Sequence, residues 1–178
     1  MVPECSIAVQ YAAPRTGVPA AVSLRRWAQI ALGTQPGDVT LRVVGCRESA
    51  ALNTLYRGRD RATNVDEVEI AALNATYRHK SGPTNVLSFP MSPLPDGSRP
   101  IRGDLVLCSP VIAREAHEQG KPASAHWAHM VVHGCLHLCG HDHDQAGQAT
   151  AMETEERRIL AKLGYPDPYR EPPVMECS

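Results

Sequence analysis

No stretch of this sequence stays apolar long enough to cross a bilayer. Its opening residues, Met1 to Cys5, also lack the basic-then-apolar pattern of a secretory signal. The expectation is a cytoplasmic protein that works off the membrane. Basic excess is missing too: 18 Lys and Arg stand against 19 Asp and Glu, a net charge of -1. That argues against an extended nucleic-acid surface, though not against a small basic cleft. Disulfides are a third expected absence. Six cysteines are present, but without an export signal they are expected as free thiols in a reducing compartment.

What is there fits one domain over residues 1–170, followed by an extended, proline-bearing tail at 171–178. With 43% apolar and 21% charged residues, the 178-residue chain can bury a core without covalent staples. Strands are expected at Ser6–Ala12, Val39–Gly45, Asn85–Met91 and Gly103–Cys108, from alternation and β-branched content. Helices are expected at Leu24–Leu32 (closed by Gly33), Pro110–Gln119, Ala123–Cys139 (closed by Gly140) and about Gln145–Leu163. Glu153, Glu155 and Glu156 ahead of Arg157 and Arg158 look like a solvated charged face. The order of elements suggests an α/β (α+β) fold, a small mixed sheet of about four strands with about five to six helices.

Residues 48–65 and 69–86 align at an offset of 21, with ten of eighteen positions identical. This is a tandem duplication of a helix-plus-loop segment, too short for a stacked array. Only the second copy runs directly into the strand LSFP, so it is expected in the working position, with the first copy an insertion.

Six of the eight histidines lie between residues 126 and 143. At about 100° per helical residue, His126, His129, His133 and His137 share one face, and Cys135 and Cys139 point the opposite way. The cysteines therefore read as core. His133 and His137, at i and i+4, can converge on one cation. Gly140 then turns the chain so that His141 or His143 completes the site. Three imidazoles leave a fourth position for water, the arrangement of a catalytic zinc site. Zinc is the default for such donors, and other divalent transition metals such as nickel or copper fit them too. His126 and His129 are expected to line the groove or support the ligands from behind.

The run HGCLHLCGHDH, His133 to His143, resembles the H-G-x-L-H-L-x-G-Y-D-H motif of the YbeY family, single-strand-specific endoribonucleases that mature ribosomal RNA. The resemblance continues through LNATYR, PTNVLSFP, GDLVLC, EAHEQGKPASAHWAHMVVHG, METEERRIL and LGYPDPY, over roughly residues 39–170. It implies a small mixed sheet packed with helices, one zinc ion on His133, His137 and His143, and RNA as substrate. It further implies a role in ribosomal RNA maturation and ribosome quality control, with ribosomal particles or assembly proteins as partners. His141 replaces the family tyrosine and is a competing imidazole. The family arginine after LNxxY maps to Arg78, by continuity with PTNVLSFP, or to its duplicate Arg57.

In such a site Arg78 would grip a phosphate with its planar, permanently charged fork, and Asp142 could orient an imidazole or simply serve the turn. Arg57, Arg59, Arg61, Arg78, Lys80, Arg99 and Arg102 concentrate positive charge in one half of the chain, which suits an RNA backbone. Two rival readings stand beside this one. A zinc peptidase would need HExxH, and Gly134 occupies the position of its general base. A non-catalytic, metal-bound ribosome-assembly factor would use zinc only to fix the fold.

Overall fold

A computed structural model of the chain describes residues 5–57, 84–92, 94, 96, 100–141 and 146–170. Most of the second repeat copy and the 171–178 tail lie outside them. The described residues form, in order, β1 (Cys5–Tyr11), α1 (Ala21–Leu32), β2 (Gly37–Val44), α2 (Cys46–Arg57), β3 (Val86–Pro90), β4 (Ile101–Cys108), α3 (Ser109–Glu118), α4 (Ala123–Leu138) and α5 (Ala146–Lys162). The sheet runs β1-β2-β4-β3. β1 and β4 flank β2 in parallel, and β3 closes the edge antiparallel to β4. This is the small mixed sheet of an α/β domain expected from the sequence.

Side chains alternate across a strand, and β4 uses both faces. Leu105 and Leu107 enter the larger core, shared with α1, α4 and α5. Val106 and Cys108 enter a smaller one with Val44, Leu87 and Val111, against which Cys46 and Leu52 of α2 pack. Helices therefore cover both sides of the strand. Burying each such aliphatic side chain stabilises the fold by roughly 1.5–3 kcal/mol.

Helix α4 is the scaffold of the site, and it lies close on the sheet because residue 134 has no side chain. A Cβ on Gly134 would stand 2.1 Å from Leu105 Cδ1, inside any tolerable contact. Ser88 Oγ on β3 donates to the Gly134 carbonyl at 3.1 Å, fixing the helix against the sheet edge. The helix ends as the sequence suggested. Gly140 adopts a φ of 90°, its N–H reaches the His137 carbonyl at 3.0 Å, and His141 N–H reaches the Leu136 carbonyl at 3.0 Å. This is a Schellman closure, which redirects the chain within two residues.

The described residues include part of each repeat copy. Helix α2 comes from the first copy, while strand β3 is entered from the second. Ser49 on α2 is 1% exposed; its Oγ donates to the Thr84 carbonyl (2.8 Å) and accepts from the Thr84 N–H (3.1 Å). These partners are 35 residues apart, whereas the matching pair inside one copy, Ser49 and Thr63, is closer by the 21-residue repeat offset. The second copy carries Ile70 at the Ser49 position. An isoleucine there would leave both half-buried Thr84 backbone groups without that partner, at a cost below the about 1–3 kcal/mol of a fully buried group.

Candidate metal centre

The four histidines of α4 share one face, as their spacing predicts, yet they split into two kinds. His133 and His137 aim at each other: their Nε2 atoms stand 3.2 Å apart, with ring centroids at 4.7 Å and planes at 79°. Two nitrogens bound to one tetrahedral zinc at about 2.0–2.1 Å are separated by about 3.3–3.4 Å. The pair therefore already has the spacing a shared cation requires.

His133 is held from behind. Its Nδ1–H donates to Glu156 Oε1 at 2.6 Å, which fixes the tautomer and leaves the Nε2 lone pair facing His137. His129 donates from Nε2 to the other oxygen, Glu156 Oε2, at 3.1 Å. Tyr169 Oη donates to that same oxygen. Glu156 is 0% exposed. Burial alone would raise its carboxyl pKa, but the hydrogen bonds from His129, His133 and Tyr169 outweigh it and hold the group at about 2.

Glu156 therefore does not belong to the solvated charged face that the sequence suggested. Its neighbours do: Arg157 pairs with Glu153 and Arg158 with Glu155, all partly exposed. The signal that marks Glu156 is its place in the stripe Met152, Glu156, Ile159, Leu160, all buried. A carboxylate at a core position of an amphipathic helix needs buried partners.

Deeper along α4, His126 donates from Nε2 to Glu115 Oε2 at 2.9 Å. Asn85 Nδ2 holds both Glu115 oxygens at 3.3 and 3.1 Å. Burial pushes the His126 pKa down, against the pull of Glu115. His126 and His129 thus line and brace the face.

His129, His133 and Glu156 also offer ligand atoms within 4.8 Å of one another, so this trio can hold a metal ion. In the present arrangement, however, both carboxylate oxygens are engaged by ring or phenol hydrogens. His141 is half-buried just past Gly140. His143, Asp142 and Arg78 lie outside the described residues, and Arg57 is the last residue of α2. Of the cysteines, Cys135 is fully buried and its thiol is pushed far up by desolvation, while burial raises Cys139 to about 11. Neither is a thiolate near neutral pH. Position 134 faces Leu105 of the sheet, which removes the place where an HExxH peptidase keeps its glutamate.

A family model described as Endoribonuclease YbeY matches residues 63–164. An Endoribonuclease YbeY of Stenotrophomonas maltophilia strain K279a is 48% identical over 169 residues, 92% of each chain. One from Xanthomonas oryzae pv. oryzae strain MAFF 311018 is 47% identical over 170 residues, again 92% of each. A solution structure of a Thermotoga maritima protein aligns with 92% of this chain and 99% of its own at 19% identity, with a TM-score of 0.48.

Proposed function

The chain belongs to the YbeY endoribonuclease family, and on that premise we propose that it is a zinc-dependent endoribonuclease cutting single-stranded stretches of ribosomal RNA. Its setting is the maturation and quality control of ribosomes in the cytoplasm, with ribosomal particles or assembly proteins as partners. No helix among the described residues is long and apolar enough to cross a membrane.

The observation that carries the reading is the 3.2 Å approach of His133 Nε2 to His137 Nε2. These two imidazoles would hold the ion, with His143 as the third nitrogen donor. Three neutral donors leave room for solvent or a phosphate oxygen. When bound, zinc eases deprotonation of water near neutral pH and polarises a phosphoryl oxygen. The chain supplies the rest. Glu156 keeps the His133 Nδ1–H occupied, so only Nε2 is presented to the site. An arginine holds the scissile phosphate as negative charge builds.

We assign that arginine to Arg57, with Arg78 as the alternative. The support is the buried pairing of Ser49 with Thr84, which seats the first-copy helix on the sheet. Substitution of His137 by alanine tests the whole reading: bound zinc and cleavage of single-stranded ribosomal RNA should vanish together. Full cleavage by chelated, metal-free protein would contradict it.

A further inference from the structure

Tyr169 sits in the turn after α5, thirteen residues past Glu156. It is held there from several sides. Its N–H donates to Asp167 Oδ1 at 2.9 Å, and Arg157 Nε donates to the same oxygen at 3.2 Å. The Arg157 guanidinium lies 4.7 Å from the Tyr169 ring centroid. The ring also meets His129, with centroids at 5.5 Å and planes at 77°. Lys121 Nζ, from the α3–α4 connection, donates to the Pro168 carbonyl at 2.5 Å. Although 40% of Tyr169 is exposed, its hydroxyl reaches a carboxylate that is 0% exposed.

The consequence lies in what that carboxylate does. Glu156 receives three hydrogens on two oxygens, from His133, His129 and Tyr169. His133 and His129 both belong to α4 and can shift together with it. Tyr169 is the one donor among these three that comes from outside that helix. We propose that Tyr169 is a positioning residue: its hydroxyl fixes the Glu156 carboxylate, which fixes the His133 ring and so sets how well Nε2 holds the metal. This rests on His133 being a ligand. An imidazole whose far nitrogen is bound to a fixed carboxylate is a stronger, better-aimed donor, and loss of such support typically weakens metal binding by about 10–100-fold.

The test uses the full-length chain with zinc, and with cobalt(II) as a spectroscopic probe. Tyr169→Phe keeps the ring's contacts with His129 and Arg157 and removes only the hydroxyl. It should weaken zinc binding by about tenfold and alter the cobalt visible spectrum, while the metal-free protein stays folded at the temperature of the titration. Glu156→Gln should weaken binding further, toward 100-fold. Tyr165→Phe is the control, since that ring packs on Trp27 at 5.9 Å and should leave affinity and spectrum alone. Tyr169→Phe with parental zinc affinity and cobalt spectrum overturns the proposal, as does a loss fully matched by Tyr165→Phe. If His133→Ala and His137→Ala bind zinc as the parent does, the metal assignment itself fails, a different result from parental behaviour in Tyr169→Phe alone.

Discussion

His133 and His137 approach to 3.2 Å between their Nε2 atoms, one turn apart on a helix pressed against the sheet. That spacing comes from backbone geometry. The direction comes from Glu156, which engages the far side of His133.

The choice between repeat copies is decided by two arginine variants. Arg57→Ala should lower cleavage of single-stranded RNA by on the order of a hundredfold or more, the usual loss of a group that stabilises developing charge. Bound zinc should stay at parental stoichiometry. Arg78→Ala should cut RNA at close to the parental rate. The reverse pattern would give the site to the second copy.

Gly134→Ala should destabilise the protein by about 1–3 kcal/mol, the usual range for an overpacked core. The added methyl meets the side chain of Leu105, which is fully buried in the core and must shift to admit it. Combining it with Leu105→Val should recover part of the loss in urea unfolding. An unchanged midpoint in the single variant would mean α4 does not lie as close to β4 as described.

The buried carboxylate predicts a pH dependence with a defined sign. Glu156 is held at about 2, below its ordinary 4.5, so its ionised form stabilises the fold. That contribution, on the order of 3 kcal/mol, is fully present above pH 4.5 and is lost as the pH falls toward 2. In metal-free protein, Glu156→Gln should be clearly less stable than the parent at pH 6. The gap should narrow at pH 3. A gap that stays constant over that range would contradict the assignment.

The thiols should be inert. With Cys135 buried and Cys139 raised to about 11, neither should react with iodoacetamide in the folded protein at pH 7.5 within the time of full labelling after unfolding. RNA cleavage should survive the treatment. Rapid labelling of Cys135 with loss of cleavage would revive a cysteine mechanism.

Much of this architecture was legible in the sequence because it follows local periodicity. The β-branched run at Val39–Val44, the histidine face of α4 and the stop at Gly140 each depend on residues within a few positions of one another. Glu156 was not legible in the same way. Its neighbours are charged, and its role depends on α5 packing against α4. Tyr169 is further removed, since only the turn after α5 brings it back to Glu156. The duplication is legible as a repeat, but its two copies carry competing local signals. Continuity with LSFP pointed to the second copy, whereas a single buried hydroxyl on Ser49, matched by Ile70 in the other copy, favours the first for the helix.

An anomalous-difference map of zinc-loaded crystals at the zinc absorption edge locates the ion among these side chains. One peak is expected about 2.0–2.1 Å from Nε2 of His133, Nε2 of His137 and a nitrogen of His143, with an open fourth position. A peak seated between His129 and Glu156, or no peak near the α4 histidines, would contradict it.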